Sequence, residues 1–142
     1  MVTVTKSRRV LNDAYEAYRY FKKKPVDLEF RHVVVLNLTL LRAVGHVLNS
    51  ENKGNDKIKS DDYYHSVIKN DPLFKDFIEK FRNNLIKQYS GKISWSSITT
   101  LNGKNRMEYI IHEGKYKGSD IRKLIQKSLS FWKRHLDILA KM

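Results

Sequence analysis

Hydrophobic residues recur at three- and four-residue intervals along four stretches of the chain, the pattern of helices that bury one face. The first stretch covers residues 7–24 and ends before Pro25. The second runs from Phe30 to Leu48, behind Asp27 as a helix cap, and its apolar face is the wider one. We therefore predict that the second helix is central in the fold and covered on more than one side.

Two further main helices and one short helix are predicted from local signals. Residues 51–62 are polar, which predicts a loop that leads into a short helix over residues 63–69. Asp71 before Pro72 is typical of a helix start, and the apolar stripe behind it predicts a third main helix that ends at Gly91. Ser119 or Asp120 then caps the last helix.

The segment before the last helix has a different texture. Residues 93–101 and 106–111 are rich in Ser, Thr, Ile and aromatic residues, and they flank Asn102-Gly103, a strong signal for a two-residue hairpin turn. The predicted fold is therefore all-α, an up-and-down four-helix bundle with a small β-hairpin insertion before the last helix. We expect residues 1–142 to form one domain, because 142 residues is a common domain size.

Charge adds a partner class to this picture. The chain has 28 Lys and Arg residues against 15 Asp and Glu, a net charge of +13, which indicates an anionic partner with nucleic acid as the first candidate. Residues 1–24 hold 7 basic and 2 acidic side chains, and residues 104–142 hold 10 and 4. The first and last helices of an up-and-down bundle are often neighbours, so we expect one merged basic face.

Eleven basic residues are the predicted contacts to nucleic acid. The hairpin contributes two of them, because aromatic residues beside cations can stack bases, although residues such as Trp95 and Tyr109 more often pack a short hairpin onto the helices. Lys6, Lys133 and Arg134 belong to the same predicted basic face. The predicted contacts are Arg8, Arg9, Arg19, Lys22, Lys23, Lys24, Lys104, Arg106, Arg122, Lys123 and Lys127.

The sequence lacks the residues that several classes of function require. There is no cysteine, so a disulfide framework, a thiol nucleophile and Cys-ligated zinc are excluded. No paired-histidine metal spacing, phosphate-binding Gly-rich loop or nucleophile elbow is present, and we expect neither a metal nor a cofactor. The longest apolar run, Val33 to Leu48, is interrupted by polar residues and predicted too short to span a membrane. With no apolar signal segment at Met1, we expect a soluble cytoplasmic protein.

The most informative motif lies late in the third predicted helix, where Arg82, Asn83 and Lys87 fall near one helix end on adjoining parts of its surface. A basic first helix, a long apolar second helix, this Arg-Asn motif and a fourth helix after an irregular segment together resemble the HEPN domains over most of residues 7–140. The resemblance implies a four-helix bundle. It also implies a homodimer through the faces around the second and third helices, as in many metal-independent RNases that pair two Arg-x-x-x-x-His motifs.

The chain departs from that family at one position. The family motif is commonly Arg-Asn-x-x-x-His; Arg82 and Asn83 match it, and Lys87 stands where the histidine is expected. A lysine with a pKa of about 10.4 stays charged and is a poor base. We therefore predict a nucleic-acid-binding protein, for RNA foremost, with a degenerate ribonuclease motif in which Arg82 and Lys87 hold phosphate and Asn83 orients them.

Three alternatives stay open at this point. The first is a metal-independent endoribonuclease with an altered Arg-Asn-x-x-x-Lys centre. The second is a basic interaction module that binds an acidic protein, and the third treats Arg82 and Lys87 as surface residues in salt bridges. By analogy with the family, the predicted nucleic-acid-binding protein and the first two alternatives fit a toxin–antitoxin or phage-defence setting.

A second polar pair lies on the second predicted helix. Arg42 and His46 are four residues apart and share a helix face, so they could meet a ligand together. The expected role is nevertheless a buried polar pair inside the bundle.

Overall fold

The computed structural model describes residues 1–23, 30–54, 57–88, 93–99, 105–112 and 114–142, with side chains described over 1–20, 32–54, 57–87, 109–112 and 114–142. This part of the chain is mostly helical, as predicted for an all-α protein. Its elements are α1 (Thr5–Lys23), α2 (Phe30–Glu51), α3 (Lys57–Tyr63), the π-helices π1 (Tyr64–Ile68) and π2 (Leu73–Phe81), α4 (Arg82–Gln88), β1 (Ile93–Thr99), β2 (Asn105–Ile111) and α5 (Ile121–Ala140).

The second helix is central, as its wide apolar face predicts. Helix α2 packs against α1, α3, π2, α4 and α5. Its predicted stripe is buried in the core, with Val34, Leu38, Leu41, Val44 and Leu48 all at 0% exposure. Burial on more than one side follows from that position, because no single neighbour could cover a face of this width.

The length of helix α2 corrects the expectation that this apolar segment is too short to span a membrane. Among the described residues, one helix is long and apolar enough to cross a membrane by length and composition. This is α2, over His32–Glu51, with a mean hydropathy of 1.4. The apolar run from Val33 to Leu48 is short, but the helix that contains it begins at Phe30 and continues to Glu51. Core helices meet the same criterion, and the fully buried stripe of α2 is typical of one.

The start of α1 is held by the end of α2. The Glu51 carboxylate accepts hydrogen bonds from the backbone N–H groups of Lys6, at 2.9 Å, and Ser7, at 3.0 Å, and from the Ser7 hydroxyl. Asn52 exchanges two 2.8 Å hydrogen bonds with the backbone of Thr3. These contacts satisfy helix N-terminal donors that have no partner within α1.

The predicted loop over residues 51–62 is wrong in its second half, because α3 begins at Lys57. Only Ser60 of α3 is buried, and Ile58 is 77% exposed, so the segment has no apolar stripe that would have predicted a helix. The predicted helix at residues 63–69 is present as the end of α3 and π1. The third predicted helix is π2 followed by α4, and Asp71 accepts from the N–H of Leu73 at 2.9 Å, as expected of a capping carboxylate.

The predicted hairpin is present as an antiparallel pair. Strand β1 pairs with β2 in a register from Ile93 opposite Ile111 to Thr99 opposite Asn105. Three predicted features lie outside the described residues: the turn at Asn102-Gly103, the helix end at Gly91 and the helix cap at Asp27. The hairpin is joined to α5 by hydrogen bonds of Ile111 with Gly118 and Ser119, at 2.8 and 3.0 Å.

Aromatic side chains close the core around α5. Trp132 is fully buried, and its ring lies edge-on to Phe74 at 5.8 Å. A Cβ atom on Gly45 would lie 3.1 Å from the ring of Tyr64 and 3.3 Å from Trp132. Gly45 therefore allows α2 to approach π1 and α5 more closely than any other residue would.

Candidate nucleic-acid interface

One side of α5 faces solvent and carries a row of cations. The opposite side holds the predicted apolar stripe, from Ile121 to Leu139, and it is buried. Asp120 caps the helix, as predicted, by accepting from the N–H of Arg122 at 2.9 Å. We call the exposed basic residues of this side, together with Lys141 directly after the helix, the α5 ridge: Lys123, Lys127, Lys133, Arg134 and Lys141.

The α5 ridge is nearly straight. At about 100° and 1.5 Å per residue, Lys123, Lys127, Arg134 and Lys141 fall within about 40° of rotation about the helix axis and span about 27 Å. Lys133 lies to one side of this line, towards α1. A straight line of positive charges along a helix can follow the repeated charges of a phosphate backbone.

The positive charge of the ridge is not cancelled by its neighbours. Asp137 is the acidic residue of α5, and it pairs with Lys133 at 3.0 Å and with Arg8 of α1 at 2.9 Å. Hydrogen bonds from Lys133 and Arg8 hold the pKa of this carboxyl below its usual range. Within the described residues, Lys123, Lys127 and Arg134 form no ion pair, so their charges are available to a ligand.

Grooves flank the ridge on both sides and meet at its centre. The groove between α1 and α5 has a volume of about 440 Å³ and contains Arg8, Tyr15, Arg19 and Lys133 in its lining. The groove on the other side, about 590 Å³, contains Asp71, Leu73, Lys123, Gln126, Lys127, Ser130, Phe131 and Arg134. A third depression shares Lys133 with the first groove and Ser130 and Arg134 with the second, so the three form one continuous surface.

The structure brings only some of the predicted contacts to this surface. Arg8 and Arg19 reach it from α1, and Lys123 and Lys127 lie on the ridge with Lys133 and Arg134. Bundle topology predicts that the first and last helices are neighbours, and the Arg8–Asp137 ion pair confirms it. Lys141 was missed, although its seven-residue spacing from Arg134 was the available signal.

Other predicted contacts lie elsewhere. Arg122 is directed away from the ridge, with its guanidinium 3.6 Å from the Asp120 carboxylate and 4.8 Å from the centre of the Tyr109 ring, so it supports the hairpin junction. Arg9 is exposed but lines neither groove. The side chains of Lys22, Lys23, Lys24, Lys104 and Arg106 lie outside the described residues.

The Arg-Asn motif forms only in part. Arg82 donates through Nη1 to the Asn83 side-chain oxygen at 2.8 Å. Lys87 is exposed one turn further along α4, and five helical residues rotate it by about 140° past Arg82. The expectation that Arg82 and Lys87 occupy adjoining parts of the surface is therefore wrong, because this rotation separates them.

The expected buried pair of Arg42 and His46 is also wrong. His46 is exposed, and Arg42 is half-buried against π1 and π2. The Arg42 guanidinium lies 3.5 Å from Glu79, donates to the Tyr64 hydroxyl at 3.3 Å, and lies 5.5 Å from the centre of the Phe74 ring. These partners come from a distant part of the sequence, so the four-residue spacing on α2 gave no sign of them.

His46 nevertheless lies within electrostatic range of Arg82. Partial desolvation lowers its pKa, the positive charges of Arg42 and Arg82 lower it further, and Glu79 acts in the opposite direction. The imidazole is therefore mostly neutral near pH 7, the form that accepts a proton. The histidine within range of the Arg82 charge thus comes from α2 and not from the motif position.

A buried titratable pair was missed by the sequence analysis. His135 is 4% exposed, and its Nδ1 lies 2.7 Å from the Tyr63 hydroxyl. Burial lowers the pKa of His135, Arg134 lowers it further, and Asp71 raises it. The available signal was the position of His135 within the buried stripe of α5.

Within the part of the chain that the structure describes, no group of three or more His, Cys, Asp or Glu side chains could hold a metal ion. A scan against protein-family models found no match, and searches of curated proteins and of solved structures found none either. The HEPN resemblance therefore stays a prediction.

Proposed function

We propose that this protein binds nucleic acid, and RNA foremost, through the α5 ridge. The observation that carries the proposal is the straight row of cations on the exposed side of α5, with Lys123, Lys127 and Arg134 free of ion pairs to described residues. A polyanion gains by contacting all of these charges together, because each neutralised phosphate releases counterions.

The composition of the ridge favours a polyanion over a membrane surface. Amphipathic helices that bind membranes insert an apolar face into the lipid. The apolar face of α5 is buried in the protein core, and Ile138 is the large hydrophobic residue of α5 that is exposed, at 40%. The solvent side of α5 is therefore suited to charges and not to lipid.

The first test measures binding of a labelled single-stranded RNA at about 50 mM and about 200 mM salt. If four phosphates are neutralised, the logarithm of the binding constant falls with the logarithm of salt concentration with a slope of roughly −3. The double variant Lys127→Ala/Arg134→Ala weakens binding and reduces that slope. The matched control Lys57→Ala/Lys59→Ala removes two exposed cations of α3 and leaves the slope nearly unchanged.

A binding constant that does not depend on salt would contradict the proposal. Co-purification with an acidic polypeptide in place of RNA would favour the alternative of a basic interaction module. The toxin–antitoxin or phage-defence setting and the cytoplasmic location stay predictions.

A second candidate function, cleavage of RNA, is favoured by the exposed imidazole of His46, whose pKa is lowered by partial desolvation and by the charges of Arg42 and Arg82. The neutral imidazole can take the proton of a ribose 2′-hydroxyl as that oxygen attacks phosphorus and the bond to the 5′-oxygen breaks. Water supplies a proton to the leaving oxygen, and the products are a 2′,3′-cyclic phosphate and a free 5′-hydroxyl. The Arg82 guanidinium would stabilise the charge that develops on the phosphate oxygens.

Incubation of labelled RNA with the purified protein in EDTA tests this candidate. If the site is catalytic, His46→Gln and Arg82→Ala abolish cleavage, while Lys87→Ala, on the separate face of α4, retains it. Salt-sensitive retention of intact RNA by the wild type would leave a degenerate motif, in which Arg82 and Lys87 only hold phosphate and Asn83 orients Arg82.

We further propose that the helices form a HEPN-like up-and-down four-helix bundle and that two copies associate. The exposed apolar residues Leu36 of α2, 49% exposed, and Ile86 of α4, 40% exposed, support contact through these two helices. Light scattering tests the association, because a homodimer has twice the 16.8 kDa mass of the chain. A measured mass equal to that of one chain would contradict the proposed homodimer.

A further inference from the structure

We infer that the groove between α1 and α5 is a pocket for one unpaired base of a single-stranded nucleic acid. The inference rests on the proposed function, since the α5 ridge would hold the phosphates of the same strand. It adds a preference for single strands over duplexes, which the ridge alone does not provide.

The pocket has an aromatic and aliphatic floor. Tyr15 is half-buried, with part of its side chain open to the groove, and Leu11 is buried beside it. Both side chains pack against the protein core, so the Tyr15 ring is held in place before a ligand arrives. A held aromatic ring is the platform on which unpaired bases stack in proteins that bind single strands.

Cations stand at both ends of this floor. On α1, Arg8, Tyr15 and Arg19 fall within about 40° of rotation, so the ring lies between two guanidinium groups along the helix. Lys133 closes the groove from the α5 side. Because Lys133 also belongs to the ridge, a strand whose phosphates follow the ridge passes the mouth of the pocket.

A paired base cannot use this pocket. Stacking on Tyr15 needs an open base face, and in a duplex that face is covered by the next base pair. A duplex would therefore contact the cations alone, while a single strand gains the stacking contact as well. Stacking of one base on an aromatic side chain is worth roughly 5- to 150-fold in affinity.

The polar side chains of the pocket favour a base with hydrogen-bond donors. Glu16 lines the groove with a carboxylate that can only accept, and it forms no ion pair with a described residue. Guanine presents two adjacent N–H donors on its pairing edge, which match the two carboxylate oxygens. Uracil presents one N–H between two carbonyl oxygens, which the carboxylate repels. The pocket should therefore prefer guanine to uracil.

The test compares three probes of about 12 nucleotides: oligouridine, the same oligomer with one central guanosine, and an RNA duplex of that length. The variant Tyr15→Leu keeps an apolar side chain against the core and removes the stacking ring. Tyr15→Phe keeps the ring, and Tyr20→Leu is the control on another face of α1. Circular dichroism and the thermal midpoint establish that each variant is folded.

We expect Tyr15→Leu to weaken binding of both single strands by about tenfold, and to leave duplex binding unchanged. Tyr15→Phe should bind like the wild type, and Tyr20→Leu should do so too. Glu16→Gln should reduce the ratio of affinities between the guanosine-containing strand and oligouridine. The removed negative charge affects the binding of both strands equally, so this general effect cancels in the ratio.

Equal binding of duplex and single strand, unaffected by Tyr15→Leu, would overturn the pocket and leave the proposed function standing. Salt-sensitive binding with no guanosine preference, but with the Tyr15→Leu loss, would keep the stacking pocket and overturn the role of Glu16. Failure of all three probes to bind at low salt would overturn the proposed function together with the pocket.

Discussion

At the scale of single residues, the buried pair of Tyr63 and His135 has the clearest energetic consequence. His135 is surrounded by the core, its Nε2 is buried without a hydrogen-bond partner among the described residues, and the Tyr63 hydroxyl contacts its Nδ1. Protonation would place an uncompensated charge in the core, which is why the pKa of His135 lies below the ordinary value of 6.5. The native packing therefore requires the neutral form of the His135 ring.

The first prediction concerns the pH dependence of stability. Because the folded pKa of His135 is lowered, its contribution to stability is complete above pH 6.5 and is lost as the pH falls below that value, until the folded pKa is reached. The loss is at most about 1.4 kcal/mol per pH unit. Urea unfolding at about pH 7.5 and about pH 5.5 measures it.

The variant His135→Asn should lose less stability than the wild type over this pH interval, although it is less stable at the higher pH. The matched control variant is His65→Gln, at an exposed histidine. An identical pH dependence in His135→Asn and the wild type would show that His135 does not contribute to it.

At the scale of elements, the contact between the end of α2 and the start of α1 fixes how the two helices pack. The cap of α1 comes from Glu51, which lies 44 residues beyond Ser7 in the sequence. Ser7 is fully buried, so its hydroxyl and N–H depend on this carboxylate. Helix α1 is thereby capped only when α2 is in place, which couples the folding of the two elements.

The second prediction is that Glu51→Ala lowers the free energy of unfolding by about 2 kcal/mol. The substitution removes the cap of α1 and leaves the buried Ser7 hydroxyl unsatisfied. Urea denaturation measures the change, with Asp62→Ala as the control, because Asp62 is exposed and such substitutions alter stability by less than about 0.5 kcal/mol. Equal stability of the two variants would contradict the capping role.

At the scale of the whole molecule, a net charge of +13 raises the energy of the compact state, because like charges are crowded along α1 and α5. A bound polyanion relieves this repulsion and binds the folded state in preference to the unfolded one. The charge of the free protein and its proposed function are thus linked: the surface that binds nucleic acid is the one whose repulsion is relieved.

The third prediction is that single-stranded RNA raises the thermal midpoint of unfolding. A concentration of 100 times the dissociation constant stabilises by about 2.7 kcal/mol, which for a chain of this size corresponds to a rise of roughly 8 °C. Differential scanning fluorimetry measures the shift. The variant Lys127→Ala/Arg134→Ala should show a smaller rise at the same RNA concentration, and an unchanged rise would place the binding surface away from α5.

The amino-acid sequence by itself determined the local features of this protein. Apolar spacing predicted the buried faces of α2 and α5, and the carboxylates of Asp71 and Asp120 marked two helix starts. These features depend on residues within a few positions of each other, which is the range over which helix periodicity and capping act. The pairing of β1 with β2 could be predicted for the same reason, whereas the basic character followed from composition alone.

Only the tertiary structure decided which charges act together. It paired Arg8 with Asp137, turned Arg122 towards Tyr109 and brought His46 within range of the charge of Arg82. Each of these outcomes depends on which helix packs against which and at what rotation. Residues far apart in the sequence become neighbours only through that packing. Spacing along α5 could therefore indicate the row of cations on that helix, but not which residues of α1 line the groove beside it.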